Sequence, residues 1–147
     1  MSDALATSYR IEDHSGDFKL EAWGRDCLEA LASASQGLVQ QIVSLDQIEE
    51  REQLPVTVRG DDQAERLIAF LNELLYLVYT RHWLPRRVKL LRQCSQKDCT
   101  ELEAVLTGEP LDAARHEVKY DIKAVTYHNF QIREEGGITT LEFVCDL

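Results

Sequence analysis

Asp61-Asp62-Gln63-Ala64-Glu65-Arg66-Leu67-Ile68-Ala69-Phe70-Leu71-Asn72-Glu73-Leu74-Leu75-Tyr76-Leu77-Val78-Tyr79-Thr80 is the stretch that decides the fold. Leu67, Ile68, Leu71, Leu74, Leu75 and Val78 recur at three- and four-residue steps, which lays them along one face of an α-helix. No Gly or Pro interrupts the run, and Asp61-Asp62 ahead of Glu65 offers carboxylates to the free first-turn amides. Fully burying each such side chain stabilises the fold by about 1.5–3 kcal/mol before chain entropy is counted. This helix is therefore expected at the centre of the core, and its Leu and aromatic stripe reads as packing, not cofactor contact.

A second helix is expected upstream. Asp26-Cys27-Leu28-Glu29 resembles a capping box, and Leu28, Leu31, Leu38 and Ile42 form an apolar stripe that runs to about Val43. Outside the helices the pattern alternates with period two. Tyr9 to Asp13 reads as a short strand, His14-Ser15-Gly16-Asp17 as a tight turn, and Phe18, Leu20 and Ala22 as the buried face of a returning strand. Leu54 to Arg59 follows as a strand whose Pro55 suggests an edge. Pro85 closes a connection before strands at Arg87 to Gln93 and Glu101 to Leu106. From Gly108 the chain takes on turn chemistry, because Pro110 fixes φ and Asp112 favours local turns, and a polar segment follows. Ile122 begins a strand that continues to about Arg133, turns at Gly136-Gly137 and returns as Ile138 to Asp146. The expectation is an α/β (α+β) chain of about seven mainly antiparallel strands packed with two helices. Residues 1–7 are expected to be a flexible N-terminus, and residues 8–147 a single domain.

A chain of 147 residues with 29% charged side chains has enough material to bury a core without staples. Its net charge of −10 argues against primary nucleic-acid binding, which rests on Lys and Arg neutralising phosphates. It suits a protein that meets a basic protein surface or collects cations. Arg81, Arg86, Arg87, Lys89 and Arg92 gather basic charge in one segment, which reads either as a solvated strand face or as a patch for RNA or an acidic partner. The opening residues lack a basic region and an apolar core, so no secretory leader is expected. No apolar run approaches the roughly 18 residues of a membrane span. The expected location is cytoplasmic. Cys27, Cys94, Cys99 and Cys145 form no Cys-x-x-Cys pair. They read as reduced thiols, with Cys27 and Cys145 buried as small hydrophobes.

The last strand carries a point of chemistry. Leu141, Phe143 and Cys145 share one face, so Asp146 projects from the other, beside the α-carboxylate expected at Leu147. Such anions repel unless a cation or solvent intervenes. Hard cations such as Ca²⁺ or Mg²⁺ collect oxygen ligands of this kind, and Asp17 at the first turn can supply another. A solvated tail accounts for the same residues.

His14-Ser15-Gly16-Asp17 resembles the His-Thr-Ala-Asp signature of the archease family. Asn72-Glu73-Leu74-Leu75-Tyr76-Leu77 is similar to that family's central helix. Gly108-Glu109-Pro110, His116-Glu117 and Lys123-Ala124-Val125-Thr126-Tyr127-His128 resemble its most distinctive block, and Asp146-Leu147 its ending. The resemblance spans about residues 8–147. It departs at Ser15 and Gly16 and in a longer loop around Cys94 to Cys99.

The resemblance implies an α/β fold with sheets around two helices, and an accessory protein without catalysis of its own. It implies activation of an RtcB-type tRNA-splicing ligase, which joins RNA ends with GTP and divalent metal, by promoting guanylylation and repeated turnover in tRNA splicing or RNA repair. RNA would be met only through the ligase. By motif position, Asp17, Asp146 and Leu147 would hold a divalent metal, Ca²⁺ or, in function, Mg²⁺ or Mn²⁺. Lys123 would form the functional tip with His116, Glu117, Tyr127 and His128. His116 also reads as an ordinary loop residue and Tyr127 as a packing one. Two other readings remain: a general chaperone of RNA-modifying enzymes, and a metal-dependent hydrolase with His14 or His128 as general base.

Overall fold

The computed structural model describes residues 8–14, 16–93 and 100–147. In chain order its strands and helices are β1 (Tyr9–His14), β2 (Asp17–Gly24), α1 (Cys27–Ile42), β3 (Glu52–Arg59), α2 (Gln63–Tyr79), β4 (Trp83–Gln93), β5 (Glu101–Pro110), β6 (Ala124–Val125), β7 (Gln131–Glu135) and β8 (Ile138–Asp146). A single 3-10 turn at Leu45–Gln47 follows α1. Both helices start where carboxylates cap them. Asp26 accepts from the Glu29 amide and Asp62 from the Glu65 amide, each at 2.8 Å.

The helices lie between two antiparallel sheets. One sheet has the order β1-β2-β8-β6, with β7 also pairing with β8, and the other has the order β3-β5-β4. Helix α1 packs against β2 and β8 on one side and β4 on the other, while α2 touches β3, β4 and β6. Each helix therefore buries a face wider than a one-sided amphipathic stripe, which α2 supplies with Leu67, Phe70, Leu71, Leu74 and Val78. Phe18, Leu20 and Ala22 of β2 close the core from the first sheet, as their alternation predicts.

Four sequence expectations need correction. The strand expected from Ile122 to Arg133 is two strands, so the described residues hold eight where about seven were expected. Both pieces pair with β8, but Ala124 faces Asp146 and Gln131 faces Glu142. Residues 126–130 thus stand opposite only Phe143 and Val144, and the excess leaves the ladder through a turn with Asn129 at φ 56°. Next, β5 runs on to Pro110, beyond the expected end at Leu106, and the chain turns at Asp112, whose carbonyl accepts from the Arg115 and His116 amides. A Cβ at Gly108 would meet the Leu84 carbonyl oxygen at 1.9 Å, so glycine is what lets β4 approach. Pro85 lies inside β4, which the edge position of that strand and a register shift beside the proline permit. Finally, Cys145 is buried as expected, but Cys27 opens α1 and is only half-buried. Cys94, Cys99 and the loop they define lie outside the described residues, as do residues 1–7 and Ser15.

No helix among the described residues is long and apolar enough to cross a membrane. The basic segment from Arg81 to Arg92 is largely a paired strand face: Arg86 and Arg87 reach Glu50, and Arg92 reaches Glu103.

Candidate functional site

Gly16, at φ +84°, turns the chain so that β2 begins at Asp17. Strand β2 then pairs with β8 in a register that sets Asp17 directly opposite Asp146. Directly opposed residues in an antiparallel pair hold their Cβ atoms about 4.5–5.5 Å apart, a spacing at which like charges destabilise. Among the described residues neither carboxylate has an ion pair or hydrogen bond. The Leu147 amide donates to the Gly16 carbonyl at 3.2 Å, and the Lys123 amide to the Asp146 carbonyl at 2.8 Å. Asp17, Asp146, Leu147 and the backbone of Lys123 are thus gathered at one end of the sheet, with the Lys123 side chain exposed. The field of the pair is felt by its neighbour. Burial pushes the Cys145 thiol up, and the Asp146 and Asp17 charges push it further, to about 12.

The rest of this sheet face contrasts with that end. Glu21 is held by Arg10 at 2.8 Å and Arg133 at 2.9 Å, and Glu142 by Arg133 at 3.3 Å. Lys19 lies between Glu12 and Glu142, 3.8 and 3.9 Å away. A groove of about 360 Å³ runs from Asp17 past Lys19 and Glu142 to His128, Asn129 and Gln131. His128 is exposed on its rim, in the turn between β6 and β7. Tyr127 beside it is 60% exposed, so it does not pack. Among the described residues no three His, Cys, Asp or Glu side chains converge on one point. The candidate donor set is accordingly two carboxylates with a main-chain oxygen at Leu147.

His116 and Glu117 belong elsewhere. The Asp112 carbonyl accepts from the Arg115 and His116 amides and folds the loop back onto β5. This buries His116 against Glu109, whose exposure is 1%. Glu109 Oε2 accepts from the Glu49 amide at 2.7 Å and pairs with His116 Nε2 at 2.9 Å, and its Oε1 takes the Arg115 guanidinium. His116 Nδ1 accepts from the Asp112 amide at 2.9 Å, which leaves the proton on Nε2 for Glu109. Burial alone would raise the Glu109 carboxyl, but the hydrogen bonds from Arg115, the Glu49 amide and His116 outweigh it and hold it at about 2. Both ring nitrogens are engaged and shielded, so this His–carboxylate pair fastens the loop. Glu117 is exposed beside Gln47. The His14 side chain lies outside the described part.

Two residues of α2 also reach this region, although the helical stripe alone does not single them out. The Asn72 carboxamide donates to the Val125 carbonyl at 3.0 Å and accepts the Val125 amide at 2.9 Å. The Tyr79 hydroxyl donates to the Tyr120 carbonyl at 2.8 Å and accepts the Ile122 amide at 2.9 Å. Their signal in the sequence is a polar amide and a phenol at Ile68-Asn72-Leu75-Tyr79 spacing, inside an otherwise apolar face. For Glu109 and Arg115 the only signal is acid and base near one loop.

A family model described as the Archease protein family (MTH1598/TM1083) matches residues 9–147. An archease from Methanopyrus kandleri is 28% identical over 138 residues, spanning 92% of this chain and 96% of its own length. One from Thermococcus gammatolerans is 31% identical over 136 residues, spanning 92% and 95%. The solution structure of protein 1598 from Methanobacterium thermoautotrophicum matches with a TM-score of 0.79 at 25% identity, over 96% of this chain and 99% of that one. The crystal structure of an archease from Thermotoga maritima, described as a possible chaperone, shares the fold with a TM-score of 0.63 at 19% identity, over 91% and 93%.

Proposed function

The chain belongs to the archease family, and from that premise we propose that it is a non-catalytic accessory protein that activates an RtcB-type, GTP-dependent RNA ligase. In this reading it promotes guanylylation of the ligase and repeated turnover in tRNA splicing or RNA repair, in the cytoplasm. The observation that carries the reading is the facing pair of carboxylates at Asp17 and Asp146, without a cationic partner among the described residues, beside the exposed Lys123.

Two opposed carboxylates and an oxygen from Leu147 form a hard donor set that fits Ca²⁺, Mg²⁺ or Mn²⁺. A divalent ion held there supplies a positive centre for phosphate oxygens. The protein's own groups do the remaining work. Lys123 presents an ammonium that can meet a phosphate or an acidic ligase side chain as a compact point charge. Tyr127 and His128, exposed on the neighbouring turn, extend the contact surface. With a net charge of −10, the protein meets RNA through the ligase and not by itself. The buried Glu109–His116 pair is engaged in holding its own loop.

The test is RNA ligation by an RtcB-type ligase from the same source, with GTP and Mn²⁺, at substoichiometric amounts of this protein. More than one ligation per ligase molecule in its presence is the expected result; a ligase indifferent to it overturns the reading.

A further inference from the structure

Lys123 is exposed, yet the backbone on either side of it is held. Ile122, just before it, is 1% exposed and anchored in the core. The Ile122 amide is taken by the Tyr79 hydroxyl, which also reaches the Tyr120 carbonyl. Two residues after Lys123, both backbone groups of Val125 are taken by the Asn72 carboxamide. Strand β6 has only two residues, and β8 pairs with one of its edges. On the other edge the Asn72 carboxamide stands where a neighbouring strand would be. Asn72 and Tyr79 are seven residues apart, two helical turns, and so share one face of α2. The Lys123 amide itself goes to the Asp146 carbonyl at 2.8 Å.

We propose that Asn72 and Tyr79 are positioning residues: a two-point clamp on α2 that fixes the backbone from Tyr120 to Val125 and so aims Lys123 beside Asp146. The consequence is preorganisation. A lysine on a free loop loses backbone freedom when it meets a partner, whereas one on a clamped segment has lost it already. The clamp is rooted in the core, because α2 buries Leu71, Leu74, Leu75 and Val78 between the two sheets. Tyr79 and Asn72 thereby tie the candidate tip to a helix packed in the core. For its effect on activity the inference rests on the ligase reading; for its effect on Lys123 it does not.

The experiment uses Tyr79→Phe, which removes only a hydroxyl, and Asn72→Ala, each alone and combined with Lys123→Ala. Amide hydrogen exchange on the isolated full chain is the first readout. Each clamp variant should speed exchange at Ile122, Lys123 and Val125 by about five- to tenfold, the equivalent of one net hydrogen bond. Unchanged exchange at all three amides in Tyr79→Phe would overturn the clamp. The second readout is stimulation of ligation at saturating protein. Each clamp variant should lower the plateau several-fold in the wild-type background and change nothing further in Lys123→Ala. An equal further loss in Lys123→Ala would make Asn72 and Tyr79 merely structural and overturn the positioning role. If wild type stimulates no ligase, the ligase reading falls, and exchange still decides the clamp.

Discussion

Asp17 and Asp146 face each other across the β2–β8 ladder, with the Cys145 thiol beneath them and no cation of the described residues within ion-pair distance. Along the β2–β8 ladder the other acids are matched: Glu21 to two arginines, and Glu142, which faces it, to Arg133 and Lys19. An opposed pair of like charges costs about 0.2–1 kcal/mol. Among the described residues of that ladder, Asp17 and Asp146 are the opposed acids left without a cation, at the end of the sheet where Lys123 and Leu147 meet them.

A divalent ion should therefore stabilise the protein through this pair. Ca²⁺ or Mn²⁺ at about a hundredfold above its dissociation constant should add roughly 2.7 kcal/mol, read as a rise in thermal midpoint. Asp146→Asn should raise the midpoint slightly without metal, by relieving repulsion, and abolish the metal-induced rise. The same rise in both proteins would place the ion elsewhere.

Glu109 sets the acid limb of stability. Its carboxyl is held at about 2, below an ordinary value of 4.5. A folded-state value below the unfolded one means that the contribution is complete above about 4.5 and is lost as pH falls through about 2. Glu109→Gln leaves Arg115 and His116 without their buried anion and should cost about 3 kcal/mol at neutral pH. Urea unfolding at stepped pH should show the gap between wild type and variant closing from about pH 4.5 downward.

Gly108→Ala should be among the most damaging small substitutions. The new methyl group would stand 1.9 Å from the Leu84 carbonyl oxygen and 2.9 Å from its carbon, and backbone cannot swing away as a side chain can. A loss of about 3 kcal/mol is expected from the forced separation of β4 and β5. Gly136→Ala, at φ +60° in open space, should cost only about 1–2 kcal/mol, the price of a left-handed residue. Denaturation midpoints of the two variants compare them directly.

Cys145 should be unreactive while the protein is folded. With its thiol pushed up to about 12 by burial and by the Asp146 and Asp17 charges, almost no thiolate exists at pH 8. Alkylation followed by site-resolved mass spectrometry should label it only as the chain unfolds. Rapid labelling in the folded state would contradict this burial.

The helices are legible in the sequence because their signals are local: Asp26 and Asp62 cap them, and the apolar repeat of α2 has no interruption. The β1–β2 hairpin is legible for the same reason, with Gly16 at the bend. What the sequence conceals is set between elements. Gly108 precedes the turn chemistry of Pro110 and Asp112, and its need to be glycine shows only once the Leu84 carbonyl is seen against it. The break between β6 and β7 follows from two registers on β8, and nothing in residues 126–130 announces it beyond Asn129. At the candidate site, Asp17, Asp146, Leu147 and Lys123 are neighbours in the fold, while His116 and Glu117 lie with β5 and the 3-10 turn. The family resemblance groups His116 with Lys123; in the fold the His116 ring is engaged by the Glu109 carboxylate, while the Lys123 amide bonds the Asp146 carbonyl. Asn72 and Tyr79 look like tolerated polar positions in a core helix until their backbone partners are known.

The central claim is activation through the Asp17–Asp146 pair. Its most direct test is a multiple-turnover ligation assay with an RtcB-type ligase, GTP and Mn²⁺, comparing wild type with Asp17→Ala, both shown to be folded. The account predicts stimulation by wild type and none by Asp17→Ala. Equal stimulation by both proteins would contradict it, leaving a partner of the ligase that acts without these carboxylates.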